Sequence, residues 1–115
     1  LMVSEYPDGI ADGPQINANI DYVLSNYTTK WGTPFNVIRI PSPPQLGSGY
    51  PNTGGWYETY SNAVFVNEKI LLPTYYEQYD TTAIRIWEEA MPGYEIVGID
   101  CDGSEPIISL NGAIH

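Results

Sequence analysis

Cysteine and histidine are the scarcest reactive residues of this chain, one of each, at Cys101 and His115. A disulfide framework and the paired-cysteine zinc signatures are therefore excluded within it. Any Ser/His/Asp or Cys/His constellation drawn from these residues alone would have to use His115 as its base. Basic residues are nearly as few, 4 Lys and Arg against 14 Asp and Glu, for a formal net charge of −10 at pH 7. No basic patch can then neutralise a phosphate backbone, so nucleic acid is not an expected partner. The chain also has no run of about 18 apolar residues and no basic-then-apolar leader, so no membrane partner is implied. Phosphate loops of the Gly-x-x-x-x-Gly-Lys and Gly-x-Gly-x-x-Gly types and a His-x-x-x-His pair are missing too, and neither a metal nor a cofactor is suggested.

What is present reads as a globular α/β chain. With 43% apolar residues in 115, a modest core is available despite 10 prolines and 11 glycines. An apolar strand over residues 1–6 ends at the turn Pro7-Asp8-Gly9. Ile16, Ile20, Val23, Leu24, Tyr27 and Trp31 then recur at helical spacing, with Asp12 or Gly13 as the cap and Pro14 in the first turn. Gly32-Thr-Pro34 stops the helix, and residues 35–40 read as a strand covered on both faces. Residues 42–55 are too rich in proline and glycine for a ladder or a helix; we read them as a surface loop within one domain rather than a linker between two.

A second unit follows. Val64 and Val66 alternate with their neighbours as a strand, Asn67-Glu68-Lys69 makes a hairpin turn, and Lys69-Ile-Leu-Leu72 forms the next strand. Ala83, Ile84, Trp87, Ala90 and Met91 define a helix face with Asp80 as its cap, and Val97 and Ile99 mark a final strand. A shift of sixty residues maps Val23 to Ala83, Tyr27 to Trp87 and Trp31 to Met91, so the chain reads as a repeat.

Several segments stand in an order with a wider meaning: Ile38-Arg-Ile-Pro41 before a proline-rich loop, Tyr60-Ser-Asn62 opening a strand, Ile70-Leu-Leu-Pro73, Ala90-Met-Pro-Gly-Tyr94 and Asn111-Gly-Ala-Ile-His115. Together they resemble the bacterial peptidylarginine deiminase and agmatine deiminase family, over essentially the whole chain. The resemblance implies a pentein-type β/α propeller built from repeated ββαβ units. Residues 1–115 would then be part of one catalytic domain, with units at about 1–41 and 56–101, the loop 42–55, and a pre-nucleophile loop 102–115. In this family a Gly-x-Ile-His-like tetrapeptide directly precedes the nucleophilic cysteine, so Gly112-Ala-Ile-His115 implies a truncated chain whose nucleophile follows His115. The loop around Gly47 to Gly55 is longer than the family pattern.

The implied activity is hydrolysis of a guanidinium group, either peptidyl-arginine to citrulline or agmatine to N-carbamoylputrescine, through a cysteine thiouronium intermediate. The implied partners are such a substrate and the rest of the parent domain, where a His-x-Asp pair and a further acidic residue would lie upstream. Carried over residue by residue, the resemblance makes Asn62 a supporting catalytic amide and His115 the neighbour of the nucleophile, with Tyr60 and Gly112 meeting the substrate. An asparagine closing its own turn is the plainer reading of Asn62. Cys101, between Asp100 and Asp102, is read as structural because flanking carboxylates disfavour a thiolate, and the chain alone is expected to be inactive. The Ala90-Met-Pro-Gly-Tyr94 wording leans to the peptidylarginine branch and hence to an exported or periplasmic protein, with the cytoplasm as the alternative. A rival reading takes Tyr50, Trp56, Tyr57, Tyr60, Tyr75, Tyr76 and Tyr79 as the stacking surface of a secreted, non-catalytic carbohydrate- or peptide-binding module.

Overall fold

The computed structural model describes residues 1–101. Its elements run β1 (Met2–Glu5), α1 (Asp12–Asn26), β2 (Ile38–Pro41), β3 (Val64–Val66), β4 (Lys69–Thr74), α2 (Glu77–Ala90) and β5 (Glu95–Asp100). β1 pairs in parallel with β2 across α1, and β4 pairs in parallel with β5 across α2. β3 joins β4 antiparallel, Val66 opposite Lys69, through a turn at Asn67 and Glu68. Asn67 sits at φ 55, a left-handed conformation that asparagine tolerates better than most residues and that tight hairpins require. The first unit is thus strand, helix, strand and the second strand, strand, helix, strand. Among the described residues they form two separate sheets, one parallel and one mixed, rather than one continuous parallel sheet.

Alternation along β4 builds the core. Ile70 and Leu72 are fully buried, and Trp87 and Ala83 of α2 come down on them with Ile40, Tyr60, Tyr75 and Cys101. Ala83 and Trp87 are four residues apart and so share one face of α2, the small residue leaving room for the large one. α2 therefore lies on β2, β4 and β5 at once. Each fully buried aliphatic side chain in this cluster contributes roughly 1.5–3 kcal/mol relative to exposure. After α2, Gly93 at φ +95 reverses the chain into β5.

Several local expectations are corrected. α1 ends at Asn26, with Tyr27 extended at the C-cap, so Trp31 stands outside the helix. The Thr29 hydroxyl bonds to the Thr33 hydroxyl and accepts the N–H groups of Trp31 and Thr33, a local turn that competes with helix propagation. The N-cap of α1 is Ala11, not Asp12 or Gly13, and no side chain among the described residues caps it; Asp12 lies in the first turn, where its charge suits the helix dipole. Asp80 is likewise not the cap of α2, a position held by Tyr76. The strand expected over residues 35–40 is shorter and displaced, and only Ile40 in it is fully buried, so it is not covered on both faces by the described residues. Finally, the shift of sixty pairs Tyr27, a C-cap, with Trp87, an interior helix residue; in structural terms Tyr27 corresponds to Met91, the C-cap of α2.

Candidate functional site at the strand ends

β4 and β5 run in register to Thr74 opposite Asp100, so they end together. Because β3 is antiparallel to β4, its first residue, Val64, lies opposite Leu71, three residues short of the end of β4, and Asn62 lies two residues before it, on the side of that edge. The region outside the carboxyl ends of parallel strands is where open α/β sheets hold ligands. The first unit is tied to this edge near the end of β1. The hydroxyls of Ser4, Thr59 and Ser61 bond to one another, Ser4 with Thr59 at 3.2 Å, Ser4 with Ser61 at 2.9 Å, and Thr59 with Ser61 at 2.9 Å.

Residues 59–62 have no ladder of their own, and side chains from α2 and from the connection between β4 and α2 take its place. Tyr75 Oη donates to the Thr59 carbonyl at 3.1 Å, and Trp87 Nε1 donates to the Tyr60 carbonyl at 3.1 Å. Tyr60 Oη donates to Asp80 Oδ1 at 2.6 Å, and the same oxygen accepts the Tyr75 backbone N–H at 2.9 Å. Tyr60 and Tyr75 meet edge to face with centroids 5.4 Å apart. Burial pushes both phenols well above the usual tyrosine range, and for Tyr60 the Asp80 carboxylate adds to the effect. Both remain protonated donors throughout the physiological range.

Glu58 enters this segment from the loop. Its N–H donates to the Pro43 carbonyl at 2.9 Å, and Gln45 N–H donates to the Trp56 carbonyl at 3.1 Å, so the two ends of loop 42–55 are pinned together. The Glu58 side chain is 3% exposed. Oε1 accepts from Trp56 Nε1 at 3.3 Å, whereas Oε2 has no hydrogen-bond partner among the described residues. Burial raises this carboxyl above the usual glutamate range, and the Trp56 bond offsets only part of that. A carboxyl raised in the fold binds its proton more tightly there than in the unfolded chain. Its favourable contribution is present at low pH and is lost as pH rises from the ordinary glutamate value through the raised one. We therefore expect Glu58→Gln in the full-length protein to be more stable than wild type at neutral pH and no more stable at pH about 4, as read by urea unfolding at the two pH values. A Gln variant less stable than wild type at neutral pH would contradict this.

Two clefts flank the start of α2. One, of about 390 Å³, lies between Pro44, Leu46 and Ser48 of the loop and Tyr76, Gln78 and Tyr79. The other, of about 480 Å³, opens on the strand-end edge between Thr74, Tyr75, Asp80, Ile84 and Asp100. Carboxylates dominate the charge of the second, which suits a cation better than an anion.

Among the residues expected from sequence, Asn62 is half-buried, two residues before β3. Tyr60 is 1% exposed and its hydroxyl is committed to Asp80, so its ring belongs to the core beneath the edge. Gly112 and His115, with the whole loop 102–115, lie outside the described residues. Cys101 is 2% exposed in the core, its N–H donated to the Thr74 carbonyl at 2.9 Å. Sequence reasoning missed Glu58 and the Ser4, Thr59 and Ser61 group, and read Asp80 only as a cap. No spacing rule links residues 60 and 80, but an Asp in a first helical turn preceded by several tyrosines was an available signal for a buried phenol partner.

The family model described as Porphyromonas-type peptidyl-arginine deiminase matches residues 8–115. A Legionella pneumophila protein named "Putative agmatine deiminase" is 31% identical over 102 residues, which is 88% of this chain and 28% of that protein. One of the same name from Vibrio parahaemolyticus is 28% identical over 130 residues, covering 99% of this chain and 35% of its own. The fold is similar to that of the C. jejuni agmatine deiminase, with TM-score 0.64 and 21% identity over 99% of this chain and 32% of that one. A cysteine-to-serine variant of that enzyme has been solved with substrate bound. This chain spans about a third of the length of these relatives.

Proposed function

Because this chain belongs to the Porphyromonas-type peptidyl-arginine deiminase family, we propose that it forms part of the catalytic domain of a guanidinium hydrolase whose nucleophile is a cysteine following His115. A thiolate adds to the central guanidinium carbon, ammonia leaves as the carbon–nitrogen bond breaks, and water then displaces the sulfur from the thiouronium to give a ureido product. The His-x-Asp pair that moves these protons would come from the rest of the domain. The observation that supports the reading is the strand-end edge, where β4 and β5 end in register and Asn62 precedes β3 on the side of the carboxyl end of β4. An amide there offers two donors and an acceptor without charge, which suits it to orient a planar cation or the thiolate. The substrate is a peptide arginine or agmatine, and the Ala90-Met-Pro-Gly-Tyr94 wording favours the former.

The chain by itself is expected to be inactive, since its one thiol is buried in the core. The rival binding-module reading has no support. Tyr60 and Tyr75 are core residues and Tyr76 and Tyr79 pack against that core, so the rings do not form one stacking surface.

Asn62→Ala in the full-length protein should lower kcat/KM for benzoyl-arginine or agmatine by about 10- to 100-fold, the loss of one or two hydrogen bonds to a charged group, as measured by ammonia release. Unchanged kinetics would remove Asn62 from the site.

A further inference from the structure

The segment that presents Asn62 is held by the helix behind it rather than by the sheet it leads into. Ladder pairing with β4 begins only at Val64. Before that, the carbonyls of Thr59 and Tyr60 are taken by the side chains of Tyr75 and Trp87, and the Tyr60 phenol is taken by Asp80. A buried phenol needs a single acceptor, and a backbone carbonyl would have met that need. Here it finds a carboxylate, at 2.6 Å, which gives a shorter and stronger bond than a neutral acceptor would. The same Asp80 oxygen accepts the N–H of Tyr75, which lines the cleft at the strand ends, so one atom at the start of α2 ties the cleft wall to the segment bearing Asn62.

We infer that Asp80 is a positioning residue for Asn62, acting through the Tyr60 hydroxyl, and that α2 thereby sets the geometry of the amide at the strand-end edge. The inference rests on Asn62 serving the guanidinium site proposed above. Tyr60→Phe deletes one hydroxyl and leaves the ring in the core. In the full-length protein it should lower kcat/KM for benzoyl-arginine about tenfold in enzyme that is still folded at the assay temperature, with an unfolding midpoint lowered by the loss of the bond to the carboxylate. Acting through Asn62, it should add nothing further once the amide is gone, so Tyr60→Phe combined with Asn62→Ala should match Asn62→Ala alone. Asp80→Asn, which keeps an acceptor oxygen, should retain most of the activity that Asp80→Leu loses. Hydrogen exchange gives a reading independent of turnover: in Tyr60→Phe the amides of residues 59–62 should exchange faster, with those of β4 and α2 unchanged. Two independent losses that multiply in the double variant would overturn the inference, as would unaltered exchange at residues 59–62. If the wild-type protein turns over neither guanidinium substrate, the deiminase reading falls, and the exchange result alone decides whether Asp80 and Tyr60 hold the segment.

Discussion

Serine in place of the residue that follows His115 in the parent protein, expected to be cysteine, should abolish guanidinium hydrolysis, with kcat falling roughly 10⁴- to 10⁶-fold, as when a nucleophile is removed from a hydrolase. Cys101→Ser should leave turnover largely intact. The two thiols differ in what surrounds them. Cys101 follows β5 into the core, 2% exposed among Ile70, Leu72 and Trp87, with its backbone bonded to Thr74. A thiol packed there has no approach to a planar cation of guanidinium size. In the reading proposed above, a cysteine directly after His115 would meet the substrate, and a bound cation beside it would favour the thiolate. The opposite pattern, with Cys101→Ser inactive and the other variant active, would mean that the nucleophile has been assigned to the wrong thiol.

Trp87→Ala should cost about 3–5 kcal/mol of folding stability, a large share of the 5–15 kcal/mol that typical domains possess. Trp87 fills the space between α2 and β4, meets Phe65 edge to face with centroids 6.0 Å apart, and gives its indole N–H to the Tyr60 carbonyl. Alanine leaves a cavity and an unpaired buried carbonyl together. Trp87→Phe keeps most of the packing and loses the hydrogen bond, so it should fall between the two, about 1–2 kcal/mol below wild type. Urea unfolding of the full-length variants separates these outcomes. A loss under about 1 kcal/mol for alanine would mean that the core described around α2 is not the one that holds the protein together.

The second unit was legible in the sequence because its signals agree with one another. The apolar residues of α2 recur at helical spacing, Val64 and Val66 alternate, and Asn67 supplies the left-handed turn between β3 and β4. The first helix was misjudged at its end because Tyr27 and Trp31 continue the apolar period while the Thr29 hydroxyl closes a turn that stops it. Periodicity records which residues share a face, but it does not record a side chain competing for backbone groups. The caps were misassigned for a related reason. Asp80 has the right chemistry for a cap, yet a buried phenol twenty residues earlier in the chain takes its carboxylate. The strand-end edge could be anticipated only through the family resemblance, since Asn62 lies in no regular element and its support comes from residues scattered between Ser4 and Trp87. Glu58 had no signal at all, because a buried carboxyl with one oxygen unpaired among the described residues follows from how loop 42–55 closes and not from any local pattern.

The most direct test of the account is ammonia release by the full-length wild-type protein, supplied in parallel with benzoyl-arginine and with agmatine. Hydrolysis of at least one to its ureido product, lost when the residue after His115 is serine and kept in Cys101→Ser, is the predicted result. Ammonia release from neither substrate by a folded full-length protein would contradict it.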